Sequence, residues 1–329
     1  MPTKIANSQL SKYFNGQPLA ILGYGSQGAA QAKNLRDSGI DVVIGLPSKS
    51  KSRRRARRDG FKVLSSTEAM KMCRIISVLL PDHKQGEFFG REISASLLKG
   101  KTLIFAHGLS VAFGLVKLPK ECDIILIAPH SPGVELRKRY LERKPITAFM
   151  AVKQNHSGNA HKIASAYAMA IGISSKGLFK STFESEAIGD IFGEQTVLCG
   201  GLIGLIESGF NTLVQNGHSP ESAYLECVYQ LDLIVNLYKE HGPHGMLSRI
   251  SKTAAYGALK TAPVLFDRNY EKKLKAIYNE IKSGKFARKM ANNKASLDSL
   301  IESKSIKVKK SLIQKTHDRI MKTLNRRNQ

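Results

Sequence analysis

A chain of 329 residues has room for two domains of ordinary size, each able to bury a core, and a hydrophobic content of 42% fits a globular protein. The balance of 51 Lys and Arg against 26 Asp and Glu gives a formal charge of +25, which favours loose association with anions but identifies no partner. The basic residues spread from end to end, concentrated at 49–58 and after Lys304, without zinc-finger spacing or an aromatic-basic RNA-binding pattern, so a dedicated nucleic-acid function is disfavoured.

Met1 to Asn7 lack the apolar core of a secretory signal. From Leu19 to Leu22 an apolar strand runs into Gly23-Tyr24-Gly25-Ser26-Gln27-Gly28, then a helix-like stretch to Ser38, a stop at Gly39 and a second strand at Val42–Ile44. This is G-x-G-x-x-G with a strand before it, a helix after it and a strand again within about thirty residues, the setting in which its glycines let a pyrophosphate approach the positive end of a helix. The second strand ends at Gly45-Leu46-Pro47, and no acidic residue for ribose hydroxyls follows before Arg58. Ser48-Lys49-Ser50-Lys51-Ser52-Arg53-Arg54-Arg55 stands there instead, hydroxyls and cations suited to a 2′-phosphate, which predicts NADP over NAD. Part of the run must be solvated surface, since one phosphate cannot use every cation.

The alternation continues with a helix at 66–71 and strands at 75–80, 102–106, 123–128 and 148–152. Repeated strand-helix units predict a doubly wound parallel sheet, whose ligands bind beyond the carboxyl ends of its strands. His107 and His130 both follow such ends, where a histidine is either a structural hydrogen-bonder or a catalyst.

After Lys180 the pattern is helical only. A run from Glu184 to Gln215 closes near Gly217, and Ser219-Pro220 reads as N-cap and first residue of a helix reaching Glu240, with His241-Gly242 as its stop. These helices carry Asp190 with Glu194, and Glu226 with Gln230, each pair four residues apart and so on one helical face. Adjacent carboxylates on apolar helices call for solvent, a cationic partner or a hard divalent ion. Shorter helices follow, and the stretch after Lys304 reads as a Lys-rich amphipathic helix with a frayed tail. The longest apolar run, Val197 to Ile206, is about half of what a bilayer requires and contains three glycines, so no membrane is expected. Cys73, Cys122, Cys199 and Cys227 form no C-x-x-C and sit mostly in apolar runs, which points to reduced cytoplasm. The expected domains are 1–181, binding NADP, and 182–329, all helical.

Nearly the whole length resembles the ketol-acid reductoisomerases of the short, class I type. The resemblance is carried by Gly23–Gly28, Phe105-Ala106-His107-Gly108, Asp190-Ile191-Phe192-Gly193-Glu194-Gln195 with Leu198-Cys199-Gly200-Gly201, Ala223–Cys227 and Ile250–Gly257. It implies an NADP(H)- and Mg2+-dependent enzyme of valine and isoleucine biosynthesis. That enzyme converts acetohydroxy acids to 2,3-dihydroxy acids by alkyl migration and reduction. It further implies a knotted helical second domain and a homodimer, or an oligomer of dimers, in which both subunits serve each metal site.

Position by position, Gly23, Tyr24, Gly25, Ser26, Gln27, Gly28, Ser50, Ser52, Asp82, His83, Lys84, Gln85 and Gly133 match the cofactor segments. Asp190 matches the carboxylate bridging two ions, Glu194 a ligand of the first and Glu226 a ligand of the second. His107 matches the active-site histidine and Ser251 the substrate-contacting serine. The chain departs from the family at His130, where lysine is expected, at Gln230, where glutamate is, and at Pro47, Lys252 and Ala255. A neutral amide in place of a carboxylate predicts a weaker second ion. Reduction of a 2-keto acid should then survive better than alkyl migration. The alternative is a homologue that binds NADP but has lost part or all of its catalysis.

Overall fold

The computed structural model describes Phe14 and residues 16–326. The chain start read above for a secretory signal and the last three residues of the tail lie outside the described residues.

Eight strands form one sheet: β1 Leu19–Leu22, β2 Val42–Gly45, β3 Lys62–Leu64, β4 Ile75–Val78, β5 Thr102–Phe105, β6 Asp123–Pro129, β7 Ala148–Gln154 and β8 Leu178–Lys180, in the order β3-β2-β1-β4-β5-β6-β7-β8. The order reverses between β1 and β4, which opens a crevice at their carboxyl ends. Helices α1 Ser26–Asp37, α2 Ser52–Arg58, α3 Ser66–Met72, α4 Asp82–Glu87, α5 Ala95–Leu98, α6 Leu109–Ala112, α7 Gly133–Glu142 and α8 Ala160–Ala170 connect the strands.

Strand residues alternate between two cores, as a two-residue period requires. Leu19, Ile21, Ile44, Ile104, Ile125 and Ile127 pack with Ala32 and Leu35 of α1 and with Ala164, Tyr167 and Ala168 of α8. Ala20, Leu22, Ile76, Leu103, Phe105 and Leu126 pack on the opposite face with Ala69, Met70, Phe88 and Phe89. Both faces are covered, so the strands read as unbroken apolar runs.

The sheet departs from all-parallel at one pair: β7 lies antiparallel to β6, with Pro129 opposite Ala148. The chain leaves β6, makes α7, turns back at Arg143 in the left-handed region (φ 55°) and re-enters beside the end of β6, so no crossover returns it to the far edge.

The chain divides into two compact units, one reaching Gly189 and including Ala287–Asn292, the other Asp190–Phe286 with Asn293–Gln329. Helix α9, Phe183–Gly193, begins in the first. The second contains α10 Gly200–Gln215, α11 Pro220–Tyr224, α12 Leu231–Leu247, α13 Lys252–Leu265 and α14 Arg268–Lys282; α15 Lys285–Asn292, α16 Lys294–Lys310 and α17 Leu312–Arg326 complete the chain. Ser219 caps α11, accepting from the Ser222 N–H at 3.1 Å with Pro220 at the first turn, and α12 breaks at Gly242, whose φ is 69°, both as the sequence predicts.

The helix expected from Pro220 to Glu240 is not uniform: Leu225–Tyr229 is a π turn, and Glu194–Leu198 is another. The Lys-rich tail is two helices broken at Ser311, and the second one packs. Ile313 and Ile320 of α17 join Phe210, Ala223 and Tyr224 in the core of the helical unit, where the Tyr224 hydroxyl meets His317 Nδ1 at 2.6 Å.

Candidate active site

The loop between β1 and α1 is shaped by its glycines. Gly23 has φ +103°, and a Cβ there would overlap the Leu79 carbonyl, so only glycine fits. A Cβ on Gly25 would meet nothing within 4 Å. Gly25 is also the N-cap of α1 and offers no side-chain hydrogen bond, so no capping side chain competes with a pyrophosphate for the first N–H groups of the helix. Gly133 closes the cradle: a Cβ there would overlap the Ser26 carbonyl, and the Gln27 amide donates to the Ser131 carbonyl at 2.7 Å. Gln27 is itself held by Gln31 at 3.0 Å, which accepts from the buried Tyr167 hydroxyl at 2.6 Å.

Tyr24 lies at a matched cofactor position, yet its side chain is 1% exposed and its hydroxyl donates to Asp59 at 2.8 Å. Burial, reinforced by the Asp59 carboxylate, pushes the phenol well above its ordinary pKa. Burial also works against the Asp59 carboxylate, but the Tyr24 hydroxyl and Lys33 at 3.0 Å outweigh it and hold the group below the usual carboxylate value.

The basic run sorts itself. Arg53 donates to the Leu46 and Leu64 carbonyls at 2.8 and 3.1 Å, tying β2 to β3. Arg55 donates to the Tyr24 and Gly25 carbonyls and lies over the Tyr24 ring at 5.1 Å. Both are structural, and Ser48, Lys49, Ser50, Lys51 and Arg54 line an open basic pocket beside them with Arg57 and Arg58.

At the β4 end, α4 carries Asp82, His83, Lys84 and Gln85. His83 Nε2 and Gln85 Oε1 are buried without a hydrogen-bond partner among the described residues, so this turn also fits a bound polar group. Asp82 turns elsewhere, its Oδ2 3.0 Å from His107 Nδ1. His107 stands two residues beyond β5, and the next N–H, that of Gly108, donates to Glu186 Oε2 at 2.6 Å. Glu186 is 4% exposed and was not singled out from sequence, since an acid in the first turn of a helix ordinarily just complements the dipole. Its signal would have been the i, i+4 spacing to Asp190. His130, at the end of β6, is exposed; its Nδ1 lies 3.0 Å from the Thr147 hydroxyl and its ring stands edge-on to Phe149 at 4.4 Å.

In the helical unit Asp190 ends one turn of α9 and Glu194 opens the π turn that follows. Glu226 lies inside the second π turn and Gln230 caps it, with the Gln230 amide donating to Glu226 Oε2 at 3.0 Å. These π turns occur where the sequence places its acidic pairs, and such turns are often found at functional sites. Asp190, Glu194 and Glu226 carry anionic oxygens and Gln230 a neutral one, donor types that suit a hard divalent ion, but among the described residues these three carboxylates do not converge on one point. Ser251 accepts from the Ala254 N–H at 3.1 Å as the N-cap of α13 and keeps its hydroxyl proton to donate.

Residues 13–177 match the family model described as acetohydroxy acid isomeroreductase, NADPH-binding domain, and residues 183–326 that of the ketol-acid reductoisomerase C-terminal domain. The chain is 45% identical over 270 residues to a ketol-acid reductoisomerase (NADP(+)) of Petrotoga mobilis, covering 82% of each. It is also similar to the solved structure of an NADH-preferring ketol-acid reductoisomerase from an uncultured archaeon, with TM-score 0.89, 36% identity and 96% of each chain covered. An NAD-binding semialdehyde dehydrogenase protein of Cupriavidus necator shares the fold alone, at 18% identity and TM-score 0.64 over 81% of this chain and 99% of that one. With both halves matched in order and the nucleotide cradle, strand-end histidines and acidic pairs in place, the chain belongs to the ketol-acid reductoisomerase family.

Proposed function

We propose that the chain is an NADPH- and Mg2+-dependent ketol-acid reductoisomerase whose first metal position is intact and whose second is weak. Its substrates are 2-acetolactate and 2-aceto-2-hydroxybutyrate, and its products the 2,3-dihydroxy acids that lead to valine and isoleucine. The ions, when bound, supply the positive charge that polarises the ketone and hydroxyl oxygens of the substrate, and NADPH supplies the hydride.

The residues then divide the work. Gly23 to Gly28 and Gly133 cradle the pyrophosphate, Ser50 and Ser52 with their neighbouring lysines take the 2′-phosphate, and His83, Lys84 and Gln85 line the rest of the nucleotide. Asp190, Glu194 and Glu226 hold the ions. His107 moves a proton at the substrate hydroxyl, Ser251 donates to the substrate carboxylate, and His130 gives a hydrogen bond in place of the lysine of the family. Residues 1–181 form the NADP-binding domain and 182–329 the metal and substrate domain, with the knotted helical fold of the family.

The observation that carries the weak second position is the 3.0 Å hydrogen bond from Gln230 to Glu226 Oε2. The amide replaces one unit of compensating charge and engages an oxygen that would otherwise meet the cation. Magnesium titration by calorimetry with NADPH bound, counting ions per subunit, tests it: one tight ion is expected. Two of equal affinity would overturn the reading. Steady-state rates should favour 3-hydroxypyruvate over acetolactate relative to the family pattern. A homologue that binds NADP without catalysis is the second reading, favoured by Lys252 and Ala255 beside Ser251. Failure to complement an isoleucine and valine auxotroph would select it.

The helical run from Phe183 to Gln215, 33 residues, is longer than the apolar stretch visible in the sequence because a π turn joins two helices. By length and composition it passes for a membrane span, and its most apolar stretch is almost wholly unburied within the chain. Glu186, Asp190 and Glu194 would be costly inside a bilayer, so a second copy of the chain is the fitting cover. Four free thiols suit the cytoplasm.

A further inference from the structure

Asp82 matches a cofactor-contacting position of the family, but its carboxylate is committed to other groups. Strands β4 and β5 run parallel with Val78 opposite Phe105, so the first turn of α4 and the residues after β5 emerge side by side. Asp82 Oδ2 lies 3.0 Å from His107 Nδ1, and Asp82 Oδ1 accepts from Gln85 Nε2 at 3.2 Å. The same Gln85 amide donates to the Leu80 carbonyl at 2.9 Å, and Gln85 is 3% exposed, so the carboxylate is oriented from behind by a buried side chain. The paired side chains are sheltered, 28% exposed at Asp82 and 22% at His107.

We infer that Asp82 is a positioning residue: it fixes the tautomer and ring orientation of His107 and does not bind the nucleotide. A carboxylate can only accept, so the neutral imidazole must carry its proton on Nδ1 and keep its lone pair on Nε2. Turning the ring over would put the Cδ2 carbon against Asp82 and lose the hydrogen bond, and the other tautomer would place a lone pair against a negative oxygen, so one orientation and one tautomer are favoured. On the other flank, Glu186 holds the Gly108 N–H at 2.6 Å and fixes the backbone beside the ring. An amide at position 82 offers both a donor and an acceptor, and so removes the tautomer choice at nearly constant shape.

The inference rests on the assignment of His107 to proton transfer, and the experiment separates the two. Asp82→Asn, His107→Gln and the double variant are compared for kcat and KM on acetolactate, for NADPH affinity by calorimetry, and for the ring-nitrogen NMR shifts of His107. Asp82→Asn should lower kcat roughly ten- to hundredfold. NADPH affinity should stay within about twofold, and the His107 nitrogen shifts should move towards a tautomer mixture. The double variant should be no slower than His107→Gln, since Asp82 acts only through the ring. A weakened NADPH affinity with kcat retained would make Asp82 a cofactor contact and overturn the inference. Multiplied losses in the double variant would do the same. Wild-type turnover by His107→Gln would instead sink the proton-transfer assignment, while the nitrogen shifts would still report whether Asp82 sets the ring.

Discussion

Replacing a carboxylate by an amide changes one atom at position 230 and reverses what that side chain offers its neighbour Glu226. Gln230→Glu should restore a second magnesium per subunit in the calorimetric count and raise the acetolactate rate relative to 3-hydroxypyruvate. Asp59 shows the same sensitivity to a single proton. Its depressed pKa means that its pairing with Tyr24 and Lys33 contributes fully above the ordinary carboxylate pKa and is lost as pH falls through the lowered value. Urea unfolding of Asp59→Asn should therefore show a smaller loss of stability on acidification than the parent. The thiols differ first by burial. Desolvation pushes both Cys73 and Cys122 up to about 11, so after iodoacetamide at pH 8 mass spectrometry should find Cys73 and Cys122 unmodified in the native protein. None of this burial is readable from a cysteine count, and Tyr24 makes the point again. It sits inside the nucleotide motif, yet a carboxylate 35 residues away turns its ring into the core.

Among the elements, the β1–α1 loop separates space kept for a ligand from space needed by the protein. Gly25→Ala places a methyl where nothing stands within 4 Å, so it should melt within about 2 °C of the parent and yet lose NADPH affinity at least tenfold. Gly133→Ala drives its methyl into the Ser26 backbone, so it should lose about 2–4 kcal/mol of stability as well as affinity, read by denaturant unfolding and calorimetry. Five interior strands, β1, β2, β4, β5 and β6, were legible because burial on both faces demands continuous apolar residues, and β7 was located from its sequence as well. Strands β3 and β8 were not, each being three residues long with no fully buried position and a lysine at one end. The direction of β7 was equally hidden, because a turn back at Arg143 and a crossover use the same residue types. The π turns at Glu194 and Leu225 escape a reading by period, since a shift from four- to five-residue hydrogen bonding leaves the apolar pattern nearly unchanged.

For the whole molecule, the sequence reports quantities and the fold assigns them places. A charge of +25 disfavours dense self-association at low salt, yet the helical unit exposes Val197, Ile203, Leu205, Leu233, Tyr256, Leu259 and Val264. Sedimentation should find a dimer or a multiple of one that persists at high salt, since apolar burial is not screened, whereas a purely ionic assembly would dissociate. The +25 charge itself has no structural explanation beyond the residues at 49–58. By itself the sequence determined the nucleotide fold, the preference for a 2′-phosphate and the acidic pairs, because each is written in local periodicity, local charge or spacing within one helix. Only the tertiary structure decided which cations are free for the ligand, that Glu186 braces the backbone beside His107, and that Asp82 faces that ring. Those roles belong to contacts between side chains far apart in the chain, and no local pattern encodes which distant neighbour a polar group will meet.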